Sequence, residues 1–301
     1  MTPTPTSPGA FNWALILGLG VIWGTAFTGV ATALDGLGPW WVTAGRVGLG
    51  ALVLLAAGAV MRQGVGLIRG LRAWIYCAAI GLGAIATQFA LLSWGLGQVP
   101  SAFAGVAMGA VPLLVLPLVA LFSPEEGIGP RRIAGIFLGF LGLIALVGPG
   151  ALEGGSLWGR LACVGAAGCY AAGSVMTRRA PPMPPVAFAT ATLLVGAAAL
   201  IPLAFVLEGT PRPTAVWPML ALIYVAVFPT ALAAIIRVRV ITTAGSLFMS
   251  ITSYMVPVWA VIFGITLMGE TLPPQLFWAL ALILAGIGLS QWRAIAAAFG
   301  R

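Results

Sequence analysis

Ten apolar runs, each about long enough to cross a bilayer, follow one another with only short polar connections. A spanning helix needs about 20 mostly apolar residues, because each advances about 1.5 Å through a hydrocarbon core about 30 Å thick. The runs cover 12–34, 39–61, 73–96, 101–122, 130–147, 157–177, 184–207, 214–236, 242–268 and 274–292. Only 7% of residues are charged, against about 25% in soluble domains, so the chain lacks the polar groups to cover its own surface. Inside a bilayer each backbone N–H and C=O must be satisfied within the protein, so runs of this length predict helices. The expectation is an all-α polytopic membrane protein with no soluble domain. Pro39, Pro130, Pro184 and Pro274 stand at predicted helix starts, where a missing N–H costs nothing.

Arginine placement predicts the orientation. All 14 basic residues are Arg, and the chain has no Lys or His. Arg62, Arg69, Arg72, Arg131, Arg132, Arg178, Arg179, Arg237, Arg239, Arg293 and Arg301 follow even-numbered runs or close the chain. Only Arg46, Arg160 and Arg212 fall toward the other side. The positive-inside rule then puts both termini in the cytoplasm. The net charge of +8 is scattered over short loops, which argues against a nucleic-acid surface. Residues 1–11, rich in Pro and Thr, read as a flexible lead without the basic n-region of a signal peptide.

One stretch occurs twice. Ser101 to Glu125 and Ser246 to Glu270 both open on Ser, carry Phe103 or Phe248 two residues on, hold Pro112 or Pro257 at the same place, and end on Glu. Each copy lies in a set of five runs. An odd number forces the second set to enter the membrane from the opposite side. The expected architecture is therefore ten transmembrane helices arranged as two inverted-topology five-helix repeats, 12–148 and 157–293. An external loop (149–156) joins them, a C-terminal tail (294–301) follows, and a central cavity lies between them. Such repeats are typical of secondary transporters with a binding site near the midplane.

Polar groups inside a membrane need a partner or a wet cavity. Ser246, Ser250, Ser253 and Pro257 share one helix face, which Gly105, Met108, Gly109 and Pro112 match in the first copy. Two readings stand for these faces: cavity lining, or close helix packing through small residues. The hydroxyl of Tyr254 needs a wet or bonded end. Gln88 is the one amide in the middle of a run, and Trp23 and Tyr170 occupy similar places in the two halves. The candidate substrate-binding residues are thus Trp23, Gln88, Met108, Tyr170, Ser250, Ser253 and Tyr254, with Pro112 and Pro257 as helix-kink or gating positions. Arg46 either snorkels outward or meets a substrate carboxylate at the outer mouth. Asp35 and Arg160 lie near the same face, where an ion pair is open to them. Glu125 and Glu270, at helix ends, suit capping or loop docking better than transport.

No Asp, Glu or His sits in mid-membrane, so an intramembrane proton relay or a counter-charge for a cationic drug is hard to build. Cys77, Cys163 and Cys169 lack metal-ligand spacing and read as small buried hydrophobes. The expectation is no metal, no cofactor and no catalytic constellation. A cavity of hydroxyls, one amide and aromatics suits a small neutral, zwitterionic or aromatic solute.

Several residues together resemble the drug/metabolite transporter superfamily, specifically EamA-like ten-helix exporters. They are Trp23-Gly24-Thr25-Ala26-Phe27, Arg46 after Pro39, Ser101-Ala102, the stretch from Pro112 to Glu125, and that from Pro257 to Gly269-Glu270-Thr271-Leu272-Pro273. Gly135, Gly139 and Gly142, and Gly286 and Gly288, fit as well. The first copy departs from the pattern, with Pro124-Glu125-Glu126 where Gly-Glu is expected. The resemblance implies a helical basket that exports amino acids or other metabolites from the cytoplasm across a bacterial inner membrane, as a monomer or weak homodimer. Amino-acid exporters of the YddG type are similar in size and layout. Multidrug export by the same fold is the alternative, and a membrane-embedded enzyme a more distant one.

Overall fold

The computed structural model describes residues 9–122, 129–148, 156–212 and 214–292. Glu125 and Glu126, residues 1–8, the 149–155 connection and the tail beyond 292 lie outside it, as does the side chain of Ser246. Apart from one 3₁₀ turn at Val65–Leu67, the described regular structure is α- or π-helix. The α-helices are α1 Ala10–Leu34, α2 Pro39–Val60, α3 Leu71–Ile80, α4 Thr87–Leu96, α5 Ser101–Gly109, α6 Val111–Phe122 and α7 Pro130–Val147. They continue with α8 Leu157–Arg179, α9 Pro185–Glu208, α10 Val216–Ala226, α11 Ala233–Met249, α12 Thr252–Met268 and α13 Pro274–Ser290. A π-helical segment, Gly81–Ala86, joins α3 to α4, and a second, Val227–Leu232, joins α10 to α11.

By length and composition, six stretches suffice to cross a membrane: Ala10–Leu34, Pro39–Val60, Leu71–Leu96, Ser101–Leu118, Pro185–Glu208 and Val216–Gly245. Shorter apolar helices follow at Ile133–Val147, Thr252–Met268 and Pro274–Ser290. The molecule is a multi-pass membrane protein. Its outward faces fit that reading: Phe137, Val206, Trp217 and Trp278 are exposed large apolar side chains that water would not tolerate in such number.

The expected spans 101–122 and 242–268 are each broken, at Ala110 and at 250–251. α8 runs on through Arg178 and Arg179, and a further departure lies between the eighth and ninth runs. Apolar-run boundaries put the Arg237–Arg239 stretch in a loop between runs 214–236 and 242–268. The helix instead continues through it, and the chain turns at Gly245 (φ 89°, ψ 159°). Arg is a good helix former, and its long side chain reaches polar surroundings from a helical backbone. Gly245 supplies the positive φ that other residues rarely adopt.

Packing follows small residues. α7 lies on α13, α2 on α9, α1 on α12, α12 on α5, and α4 on α8. Lipid offers no hydrophobic drive for helices to associate, so close backbone approach and its dispersion gain hold such pairs together. α2 and α9 also exchange end caps. The Glu208 carboxylate, at the end of α9, accepts from Trp40 N at 3.0 Å and Trp41 N at 3.1 Å, at the start of α2. Gln63, just past α2, offers Oε1 to Val186 N at the start of α9 (3.3 Å). Each helix thus satisfies orphan N–H groups of the other, which requires the two to run antiparallel.

Candidate functional site

Polar side chains of the interior gather around the second π segment, Val227–Leu232. A π turn widens the helix by one residue and frees backbone carbonyls from the regular ladder. A threonine hydroxyl in or directly after each π segment recovers one of these: Thr87 Oγ1 donates to Leu82 O (2.9 Å) and Thr230 Oγ1 to Val225 O (2.7 Å). Pro229 lies inside the second segment, and its carbonyl accepts from Trp23 Nε1 at 3.1 Å. One turn earlier, the Tyr224 hydroxyl is hydrogen-bonded to Thr25 Oγ1, and the Tyr224 ring stacks on Phe228 with centroids 5.3 Å apart. Tyr224 escaped the sequence reading; its hydroxyl on the same helix as Thr230 was the available signal.

Arg46 is the charged member of this cluster. It is 4% exposed, so it does not snorkel to the surface. Its Nε donates to Thr230 Oγ1 (3.0 Å), and its Cζ stands 4.1 Å from the centroid of the Phe89 ring. No carboxylate of a described residue pairs with it. A scale based on membrane insertion charges a central Arg about 3 kcal/mol. A desolvated cation–π contact returns up to about 2 kcal/mol, and a hydrogen bond to a charged donor about 1.5–3 kcal/mol. The cation is therefore tolerable in this place without an acid, and the rest of its guanidinium stays available.

The other sequence candidates divide. Gln88, the neighbour of Phe89, is 3% exposed, and its amide makes no hydrogen bond to a described residue. Tyr254 is half-buried, with its hydroxyl buried and without a hydrogen-bond partner. Met108, Tyr170, Ser250 and Ser253 are half-buried. Ser250 lies in the break between α11 and α12, and Ser253 in the first turn of α12. Pro112 directly follows the break between α5 and α6, whereas Pro257 lies within continuous α12. The small-residue faces meet each other. A Cβ at Gly109 would stand 2.9 Å from Pro257 Cγ, and one at Gly105 would overlap Ala260 Cβ. Close packing accounts for these glycines.

Near the ends of α1, α2, α4 and α9 a cavity of about 790 Å³ opens, lined among others by Leu37, Trp41, Gly97, Glu208 and Arg212. None of the sequence candidates lines it. Asp35 is exposed beside it and Arg160 is fully buried, with Nη1 donating to Gly148 O at 3.4 Å. Among the described residues no group of His, Cys, Asp or Glu has the arrangement to hold a metal ion.

The Trp23 contact yields a direct test. Trp23→Phe keeps an aromatic ring, smaller than the indole, and removes the donor to Pro229 O, and is expected to cost at least about 1 kcal/mol. The thermal midpoint of the purified protein should fall accordingly; an unchanged midpoint would mean that the carbonyl finds another donor.

Multi-pass apolar helices packed through glycines define an integral membrane protein of the polytopic α-helical class. The profile of the EamA-like transporter family matches residues 12–148 and again 157–291, so the chain belongs to that family, within the drug/metabolite transporter superfamily. Among curated relatives, the "WAT1-related protein At3g02690, chloroplastic" of Arabidopsis thaliana is 28% identical over 271 residues. That match takes in 86% of this chain but 64% of the plant protein, so the chain spans less than two thirds of that relative. The "Uncharacterized inner membrane transporter YedA" of Escherichia coli K12 is 29% identical over 280 residues, covering 91% of this chain and 88% of that protein. A crystal structure of a protein 22% identical in sequence superposes with a TM-score of 0.68 over 96% of this chain and 99% of its own, which shows a shared fold.

Proposed function

We propose that the protein exports small metabolites, first among them aromatic or other neutral amino acids, from the cytoplasm across a bacterial inner membrane. It works by alternating access of two inverted five-helix repeats, 12–148 and 157–293, with both termini cytoplasmic. In this reading α3 with α4, α5 with α6, α10 with α11 as far as Gly245, and the remainder with α12 each form one of ten spans.

The observation that carries this reading is a recurrence between the halves. The π segments begin at Gly81 and Val227. The end caps run Gln63 to Val186 and Glu208 to Trp41. Gly196 approaches Gly81 O, as Gly50 approaches Ala226 O. Every one of these pairs is offset by 145 or 146 residues. α1 on α12 and α8 on α6 also correspond, as do α4 on α8 and α11 on α1. Two structurally equivalent halves can exchange roles around a site between them, which is what alternating access requires. The absence of mid-membrane carboxylates favours facilitated or weakly proton-coupled movement.

Reconstitution tests the proposal. Proteoliposomes are expected to show saturable flux of at least one amino acid in a panel, with or without a pH gradient. In the same assay Gln88→Ala and Tyr254→Phe are expected to raise KM severalfold, with Trp23, Met108, Tyr170, Ser250 and Ser253 as further lining positions. Flux of lipophilic cations with none of any amino acid would replace the proposal by multidrug export.

A further inference from the structure

Arg46 breaks the recurrence between the halves. Its counterpart at the same offset is Ala191, so α9 carries no cation to match the one on α2. Three of its features bear on what that cation is for. Burial removes water as its main partner, since only 4% of the residue is exposed. Phe89 and Thr230 fix the plane: the ring takes one face of the guanidinium, and the Thr230 hydroxyl takes Nε. Thr230 is itself held, because its hydroxyl donates onward to Val225 O and its methyl packs where Gly50 leaves room. Both Nη nitrogens remain, and neither hydrogen-bonds a described residue. Among the described residues neither is sealed from solvent without a partner, as Ser101 Oγ and Tyr254 Oη are. The fork is therefore oriented, dehydrated on its face, and open at its tips.

We infer that the two Nη nitrogens of Arg46 form a binding subsite for a carboxylate, and that the solute this chain moves carries one. A planar guanidinium with parallel N–H groups matches a carboxylate in bidentate geometry, and such charge-assisted pairs are about twice as strong as neutral ones. Asp35 is exposed, while Glu208 and Glu270 are already bonded to backbone N–H groups, so no acid of a described residue competes for the fork. The ammonium of an amino acid meets no fixed anion here, so its contribution to recognition is secondary. This inference rests on the transport reading for its biological meaning, but its test does not.

Thermal unfolding of the purified full chain in detergent measures it, with L-phenylalanine, phenylacetate and phenylethylamine as probes. L-phenylalanine and phenylacetate are expected to raise the midpoint in a saturable way, and phenylethylamine is not. Arg46→Gln is expected to weaken phenylacetate binding about 10- to 100-fold. Arg46→Lys, which keeps the charge and loses the fork, should recover only part of that. Thr230→Val, which frees the guanidinium without removing it, is expected to weaken phenylacetate severalfold, and it serves should Arg46→Gln not fold. Equal stabilisation by phenylethylamine, no stabilisation by either carboxylate, or a Thr230→Val protein with undiminished phenylacetate binding would each overturn the inference. Stabilisation without flux in proteoliposomes would instead overturn the transport reading and leave the subsite standing.

Discussion

Replacing Gly286 with valine is expected to abolish the accumulation of folded protein in the membrane. At this position α13 crosses α7 backbone to backbone. A Cβ on Gly286 would stand 2.6 Å from Gly135 O and 2.6 Å from Gly139 N. The contact is reciprocal, since a Cβ on Gly135 would stand 2.6 Å from both Gly286 O and Ser290 N. No side chain can rotate to relieve such overlaps, so the helices must separate along their whole interface. Overpacking a core with a movable neighbour costs about 1–3 kcal/mol. Here the cost is larger, because close approach is what holds the pair together in lipid. A methyl group added at Gly288, two residues on, would meet nothing within 4 Å, so Gly288→Ala is the matched control and is expected to be neutral. Size-exclusion profiles of fluorescent fusions, extracted in mild detergent, read both. A monodisperse Gly286→Val protein at normal yield would show that α7 and α13 are free to part.

Legibility in the sequence differs from element to element. Apolar runs locate the helices closely, because length and composition alone decide whether a segment suits lipid. Charge misplaces the end of α11 when it is read as a loop signal, since the conformation that ends the helix belongs to Gly245. The π segments are not visible at all. Gly81, Gly83 and Pro229 mark them, but the same residues occur in ordinary membrane helices, and only neighbours on α1, α2 and α9 select the wider turn. Arg46 stays open between two fates for a similar reason. Its burial depends on Phe89 and Thr230, which are 43 and 184 residues away in sequence. The glycines at 105 and 109 are equally compatible in sequence with cavity and contact, and their distances to Ala260 and Pro257 make them contact.

Removing the carboxylate of Glu270 is expected to destabilise the protein strongly. α12 ends at Gly269 in the left-handed conformation (φ 64°), and Glu270 N donates to Gly264 O at 3.0 Å, which turns the side chain back toward α5. There Oε1 accepts from Ser101 N and Oε2 from Ala102 N (3.1 Å), the first two N–H groups of α5. Both residues are buried, at 1% and 0% exposure, so water cannot replace the acid. Gly264 leaves room for it, since a Cβ there would overlap Oε2. A buried N–H left without a partner costs about 1–3 kcal/mol, and the negative charge also favours the positive end of the helix dipole. Glu270→Ala orphans two donors and is expected to cost about 2–5 kcal/mol. Glu270→Gln keeps one acceptor oxygen and turns an N–H toward the other donor, so it should fall between. The hydroxyl of Ser101 has no partner despite its burial, and Ser101→Ala is expected to leave stability unchanged or raise it slightly. That contrast separates the backbone donor from the side chain at one residue. Thermal midpoints ordered wild type, Gln, Ala, with Ser101→Ala at or above wild type, fit a carboxylate that caps a helix. A Ser101→Ala protein as damaged as Glu270→Ala would show instead that the serine hydroxyl organises this end of α5.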